Sequence, residues 1–348
     1  MTVAAGRLGP VMQVMAGAAT GGAETFSMDL VVALHEAGLR QVVVTRPEPA
    51  RLARLLAAGV RCIATRLPFA LPPPLGRLAL ARIVAAEKPG LVQAYMGRAA
   101  SIVPQGSIGW FGGYYDLKRF RRCRHLVAIT PHMQADMIAR GADPAHLSLI
   151  PTFAALDPSP TLPRDSFGTP ADARIVLCLA RLHPKKGLDT LLDAIAAMPA
   201  EVHLWLAGDG ELDAALRAQA ARLAIADRVH FLGWREDKGA LLRAADVLAV
   251  PSRYEPFGTV VIEGWAAAVP VVAAAATGPA TTVEDGRTGL LVPVDDAPAL
   301  AAALGRVLAD RALAAALASG AAEALDRRYA RAAVVRAYLD LYARLQGA

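Results

Sequence analysis

Arg181 and Lys186 bracket a short proline-containing stretch that ends in Gly187, between an apolar run at 174–180 and an Ala/Leu-rich segment at 188–197. A glycine at a helix start leaves backbone N–H groups that favour anions. With a guanidinium as a planar fork and an ammonium as a point charge, loop 181–187 suits a diphosphate. Taken alone, the same residues also read as solvated loop cations. A second loop, 252–259, carries Glu255, Pro256, Phe257, Gly258 and Thr259 ahead of an apolar helical segment. Pro256 and Gly258 permit a tight turn, whose amides would form an anion-binding concavity. Glu263 lies farther along that segment, roughly 7–8 Å down the helix from Gly258 at about 1.5 Å per residue. One carboxylate is then available to a sugar and the other to ribose hydroxyls. The competing reading pairs Glu263 internally with an arginine, because an unpaired buried carboxylate costs several kcal/mol.

Two glycine-bearing turns are weaker signals. Gly208-Asp209-Gly210-Glu211 follows an apolar run at 202–207, and a lone GxG carries little specificity. Gly21-Gly22-Ala23-Glu24 follows the first apolar run and opens a helical segment, as a phosphate or acceptor site or simply as a tight βα turn. His132 stands at a helix start, where a capping role competes with a place in a cleft.

These loops need a scaffold, and the chain supplies it as alternating short apolar runs and longer helical segments. Expected strands are 11–15, 41–45, 60–64, 91–95, 126–130 and 148–151, with helices 24–37, 51–57 and 75–87 among them. Their continuous apolar character is that of parallel strands buried on both faces. After a proline-rich stretch the pattern restarts with strands 174–180, 202–207, 229–232, 247–251, 270–274 and 289–293, and helices 188–197, 212–223, 239–245 and 259–268. The expectation is an α/β protein of two doubly wound Rossmann-like domains, their strand C-terminal ends facing across one interdomain cleft. Expected boundaries are 1–157, a linker at 158–172, a second domain at 173–325, and a terminal helical segment at 326–348 that packs back on the first domain.

A length of 348 residues suits two domains, and 55% hydrophobic with 20% charged residues excludes global disorder. Three distant cysteines, Cys62, Cys123 and Cys178, form neither a disulfide framework nor a CxxC metal site, pointing to a reducing cytoplasm. Arg7 precedes the first apolar run, but that run is interrupted by Gln13 and too short to span a bilayer. Charge is uneven: residues 1–169 hold 18 Lys/Arg against 10 Asp/Glu, and residues 170–348 hold 19 against 21. A basic first half implies an anionic partner. Its densest stretch is Lys118, Arg119, Arg121, Arg122 and Arg124, read either as an exposed helix face or as contact with anionic lipid or a phosphorylated precursor. No nucleic-acid-binding module accompanies it.

In order, the chain carries GGAE at 21–24, the 181–189 segment, GDGEL at 208–212, FLGW at 231–234, SRYEPFGTVVIEG at 252–264 and EDGRTGLLVP at 284–293. This set resembles glycosyltransferase family 4, retaining enzymes of GT-B fold that use nucleoside-diphosphate sugars, over nearly the whole length. The resemblance implies that Arg181 and Lys186 hold the donor diphosphate, with Glu255 on the transferred sugar and Glu263 on the ribose. It assigns Phe257, Gly258 and Thr259 as amide donors, adds Gly208, Gly210 and Trp234 to the donor side, and puts Gly21 and Gly22 on the acceptor side. Many relatives carry a histidine-bearing loop after the fourth strand; this chain has Gln93 to Arg98 there, making Tyr95, Arg98 and His132 the acceptor candidates. The resemblance further implies no metal or other cofactor, since protein cations and helix termini take the diphosphate charge. Asp295-Asp296 begins a helix and is no metal site. The implied role is a hexosyl transfer to a glycan or lipid-linked acceptor in cell-surface or lipopolysaccharide synthesis, in the cytoplasm or on the inner membrane face. An epimerase of the same fold and a non-catalytic nucleotide-sugar binder are the rivals. A dinucleotide oxidoreductase is disfavoured, because no GxGxxG follows either domain's first strand.

Overall fold

The computed structural model describes residues 8–18 and 21–347. It divides into two compact units, the first reaching Phe153 and taking up the chain again from Ala330, the second spanning Ala154–Tyr329. Arg7 lies outside the described residues.

The first unit is built on seven parallel strands: β1 Val11–Met15, β2 Gln41–Thr45, β3 Arg61–Ala64, β4 Leu91–Tyr95, β5 Ser107–Trp110, β6 Cys123–Ala128 and β7 Leu147–Leu149, in the order β3-β2-β1-β4-β5-β6-β7. Its helices are α1 Gly22–Glu36, α2 Pro49–Ala57, α3 Leu67–Ala70, α4 Pro73–Glu87, α5 Met96–Ala100 and α6 Pro131–Ala139. The second unit holds six parallel strands: β8 Arg174–Leu179, β9 Val202–Ala207, β10 Val229–Gly233, β11 Val247–Val250, β12 Val271–Ala274 and β13 Leu290–Val292, ordered β10-β9-β8-β11-β12-β13. Its helices are α7 Leu188–Ala196, α8 Asp213–Arg222, α9 Lys238–Ala244, α10 Thr259–Ala266, α11 Thr277–Thr282, α12 Ala297–Ala309 and α13 Arg311–Arg328, and α14 Arg331–Gln346 follows in the first unit.

Both sheets are therefore doubly wound, Rossmann-like layers, and each reverses its strand order once. The reversal falls between β1 and β4 in the first sheet and between β8 and β11 in the second. At such a switch point the connections leave to opposite faces and open a crevice beyond the strand C-termini. The central strands are buried on both faces and mostly apolar, as cover from helices above and below demands: β1, β2 and β4 are buried throughout, Gln13 and Gln93 included.

Within the first unit, α14 covers the middle of the sheet. Val334, Val335, Tyr338, Leu339, Leu341, Tyr342 and Ala343 are buried, and the Tyr342 hydroxyl donates to Gln93 Oε1 on β4 at 2.8 Å. Gln346 accepts from the Gly9 amide at 2.8 Å. The segment 158–172, expected as a linker, belongs to the second unit instead. Arg164 donates to Asp246 Oδ2 at 2.7 Å and to the Ala173 carbonyl at 2.6 Å, and Trp205 on β9 donates to Thr169 Oγ1 at 2.8 Å. The segment is an ordered strap, because its Arg164 and Thr169 side chains have fixed partners on Asp246 and Trp205.

Candidate active site

The three loops singled out in the second unit follow β8, β9 and β11, and the two richest in charge follow the strands at the switch point. Loop 181–187 closes with a short 3-10 turn, Pro184–Lys186, capped by His183, whose Nδ1 accepts from the Lys185 amide at 3.1 Å. Gly187 then takes a left-handed conformation, φ 62°, as the residue before α7. A Cβ there would stand 2.2 Å from the Pro251 carbonyl oxygen, so only glycine lets this turn pass the end of β11. The two loops are bonded directly: the Arg253 and Tyr254 amides both donate to the Lys185 carbonyl, at 2.9 and 3.1 Å.

That contact brings Lys186 onto Glu255, with Nζ to Oε2 at 2.5 Å and both side chains mostly buried. Gly258, φ 86°, starts α10 as Gly187 starts α7, and neither glycine offers a side-chain cap. Part of each first turn is already used, the Asp189 and Thr190 amides by the Asp189 carboxylate and the Val261 amide by the Gly258 carbonyl at 2.9 Å, and the rest of the α10 start lies beside one lysine and one carboxylate. Arg181 is exposed at the head of its loop. Phe257 turns its ring inward, 4% exposed and edge-on to Tyr329 at 5.7 Å, so only its backbone faces the loop side. Thr259 is the first residue of α10.

Glu263 on α10 meets Lys238, the first residue of α9, in a close ion pair with both side chains mostly buried. The internal pairing thus exists, with a lysine in place of the arginine expected. Gly208 and Gly210 serve packing: a Cβ on Gly208 would sit 1.9 Å from the Ala180 carbonyl oxygen, and one on Gly210 2.4 Å from that of Leu182. The same approach forms hydrogen bonds from Leu182 N to Asp209 O at 2.8 Å and from Gly208 N to Gly233 O at 2.7 Å. Trp234, just past β10, is 53% exposed.

Two charged side chains that hold these loops in place were not anticipated from the sequence. Lys238 gives no local signal, since it stands in an ordinary charged turn. Arg253 was visible in its loop but had no evident task. Its guanidinium grips Asp189 at 2.7 and 2.8 Å, Asp295 Oδ1 at 2.6 Å and the Pro184 carbonyl at 2.8 Å. The hydrogen bonds with Arg253 draw the Asp189 carboxyl below its usual value, and those with Asp189 raise the guanidinium above its own. Asp295 is thereby occupied by Arg253, and Asp296 caps α12 through the Ala299 amide at 2.9 Å. Behind the loop, burial pushes the Cys178 thiol up to about 12, leaving it neutral. Among the described residues no three His, Cys, Asp or Glu side chains gather as a metal-binding group.

In the first unit, Gly21 precedes α1 with φ 150° and its carbonyl accepts from Thr25 N at 2.9 Å; Gly22 opens the helix. Glu24 folds back to accept from the Ala18 amide at 3.1 Å. Arg98 on α5 is exposed and reaches the Ala16 carbonyl at 3.5 Å. His132 is no cap, since Thr130 caps α6; its Nδ1 instead shares a 2.7 Å hydrogen bond with the Tyr114 hydroxyl. Tyr95 is the correction. Its ring is 0% exposed and packs on Trp110 at 5.5 Å, because β4 is a central strand and its last side chain points into the core rather than beyond the edge. An acceptor has no access to it.

The basic stretch is not a helix face. It comprises a 3-10 turn, Leu117–Phe120, running into β6. Arg122 is spent on the Val103 carbonyl at 2.6 Å and Arg124 reaches the Leu345 carbonyl at 3.1 Å. Lys118, Arg119, Arg121 and Arg124 are exposed. No described helix is long and apolar enough to cross a membrane.

The family described as glycosyl transferases group 1 matches residues 173–310. The lipopolysaccharide core biosynthesis glycosyltransferase LpsE of Rhizobium meliloti is 34% identical over 93% of this chain and 96% of its own length. LpsD of the same organism is 32% identical over 93% and 95%. Among solved structures, Anabaena Alr3699/HepE in complex with UDP and glucose superposes with a TM-score of 0.84, covering 97% of this chain and all of that one at 23% identity.

Proposed function

The chain belongs to the group 1 glycosyl transferases and is a glycosyltransferase of GT-B fold, and from that premise we propose that it moves a hexose with retention from a nucleoside-diphosphate sugar to a glycan or lipid-linked acceptor of the lipopolysaccharide core. One observation carries the donor assignment: the Lys186–Glu255 pair stands beside two helix N-termini, each opened by a left-handed glycine with no side chain to cap it. A diphosphate satisfies that arrangement in charge and in hydrogen bonding. The Rhizobium meliloti relatives support the pathway, and the UDP in the Anabaena neighbour is consistent with the donor class.

In this reading Arg181 and Lys186 hold the diphosphate, joined by amides from Phe257, Gly258 and Thr259. Glu255 orients the sugar hydroxyls and keeps Lys186 in place before the donor arrives. Glu263, steadied by Lys238, accepts from the ribose hydroxyls, and Gly208, Gly210 and Trp234 line the nucleotide side. As the glycosidic C–O bond breaks, charge accumulates on the leaving phosphate oxygen, where the cations and N–H dipoles act most strongly. The acceptor hydroxyl attacks from that same face and gives its proton to the leaving phosphate oxygen, so the anomeric configuration is kept. Gly21, Gly22, Arg98 and His132 belong to the acceptor side. No metal is needed in this reading, because the side-chain and helix-terminal charges already meet the diphosphate.

The exposed cations Lys118, Arg119, Arg121 and Arg124 fit a peripheral contact with an anionic cytoplasmic membrane face, at about 1 kcal/mol each near such a surface.

The test is turnover by the purified chain with a panel of nucleotide sugars and a truncated lipopolysaccharide acceptor, the product anomer being assigned by NMR. Retention is expected, with activity undiminished by EDTA. Lys186→Ala is expected to cost about 10²–10³ in kcat while circular dichroism stays native. Inverted product, or near-normal turnover in Lys186→Ala, would refute the reading.

A further inference from the structure

Beyond the C-termini of β1, β2 and β3, on the β3 side of the first sheet's switch point, lies a cavity of about 280 Å³. Gly17, Ala18, Glu48 and three arginines, Arg46, Arg51 and Arg66, line it. Arg51 is built into the wall: 2% exposed, it donates to Thr45 Oγ1 at 3.1 Å and to the Ala18 carbonyl. Burial draws its guanidinium below the usual value, with Glu48 and Glu24 opposing and the charge of Arg46 adding to the shift. Arg46 and Arg66 are exposed at the rim, and among the described residues neither has an ion pair. The one lining carboxylate, Glu48, is already committed, accepting from the Ala50 and Arg51 amides at 3.2 and 2.7 Å as the cap of α2. Among the described residues three guanidiniums therefore line a concave space with one carboxylate, turned to the helix, while Glu24 behind Gly17 and Ala18 is held by the Ala18 amide. The three guanidiniums outnumber the carboxylates around them, and an incoming oxyanion offsets that excess positive charge while offering fork-matched acceptors.

We propose that this pocket recognises an oxyanion, a phosphate or carboxylate, carried by the sugar acceptor. Arg46 and Arg66 supply the contacts and Arg51 fixes the wall. The acceptor half of this inference rests on the transferase reading above; the anion pocket itself does not.

Two measurements on the full chain separate them. Inorganic phosphate is titrated calorimetrically into Arg181→Ala/Lys186→Ala protein, which strips both cations from the diphosphate loop. Adding Arg46→Ala and Arg66→Ala is expected to weaken phosphate binding at least tenfold; equal affinity with and without the two arginines would overturn the pocket. In the transfer assay, the Arg46→Ala/Arg66→Ala protein is expected to show an acceptor KM raised at least tenfold, with kcat and donor KM within twofold of wild type. Phosphatase treatment or carboxyl reduction of the acceptor should reproduce that KM rise on the wild-type enzyme, and whichever treatment does so identifies the anion. An acceptor KM indifferent to the substitutions and to both treatments would overturn the assignment. Absence of transfer from every nucleotide sugar would sink the transferase reading, while the phosphate titration, which needs no turnover, still decides for or against the pocket.

Discussion

At the scale of single residues, the site depends on a side chain that need not touch substrate. Arg253 ties the Lys186 loop to the Glu255 loop through Asp189, Asp295 and the Pro184 carbonyl. These contacts use three of its nitrogens in a planar fork, a geometry an ammonium cannot reproduce. Arg253→Lys is therefore expected to keep the fold but loosen the register between Lys186 and Glu255. The expected outcome is a kcat about tenfold lower or worse, the scale on which small misplacement costs turnover, with unfolding shifted only slightly. Steady-state kinetics beside a thermal melt will check this; unchanged kcat would mean that the two loops hold each other without the brace. Arg253 also marks where reading a sequence runs out. Arginine, lysine and glutamate announce themselves by type and by a neighbouring glycine, but Asp189 and Asp295 lie far from Arg253 along the chain, and only the fold brings them together. Lys238 was missed for the same reason, because its value comes wholly from α10 passing beside it.

At the scale of elements, the glycines decide which loops can meet. Gly187 combines a left-handed backbone with a Pro251 carbonyl where a Cβ would lie, so Gly187→Ala must displace either α7 or the end of β11. The conformational cost alone is about 1 kcal/mol, and the clash adds to it. A loss of about 2–3 kcal/mol is expected, read as a melting temperature lower by roughly 5–10 °C, together with loss of donor binding. A native melt would show that the loop has slack. Most elements were readable from the sequence because strands buried on both faces are short, predominantly apolar runs: β1, β2, β4 and β9 have the bounds that pattern predicts. β5 was not, since Ser107–Trp110 is short and carries Gly109 at its middle, where glycine suits the close approach of Phe120. Tyr95 failed for a related reason. A strand end looks like an opening in the sequence, yet a residue in the pleat still obeys the alternation of faces, and its face here is the core. The proline-rich 158–172 looked like a free connection because its partners, Asp246 and Trp205, lie on strands and loops that the segment itself does not reveal.

For the whole molecule, the depressed histidines are expected to set the acid limit of stability. His125 on β6 is 3% exposed and hydrogen-bonded to Ser148 Oγ at 2.8 Å. Burial lowers it from the ordinary 6.5 to about 4, with the charges of Arg344, His146 and Arg124 acting in the same direction. In the second unit His203 and His230 share a 3.0 Å contact, and burial holds both below the usual value, helped by Arg228 for the first and by the pair's mutual repulsion for the second. The sign follows from linkage. A histidine whose folded value is depressed binds its proton more readily in the unfolded chain, so its contribution is fully present above pH ~6.5 and is lost as pH falls towards the folded value. The depressed carboxyl of Asp189 works the same way at lower pH, below the ordinary carboxylate value of about 3.9. Melting temperature is therefore expected to decline in two stages, the first between pH 6.5 and 4 from the histidines in each unit. Replacing His125 by glutamine, which keeps a hydrogen-bonding group for Ser148 but cannot take up a proton, should flatten that first stage for the unit containing α14 and leave the other unit's decline in place. Thermal melts of the wild type and His125→Gln from pH 7.5 to 4 decide the matter. Parallel pH profiles for the two proteins would remove His125 from the acid transition and place the loss on the His203–His230 pair alone.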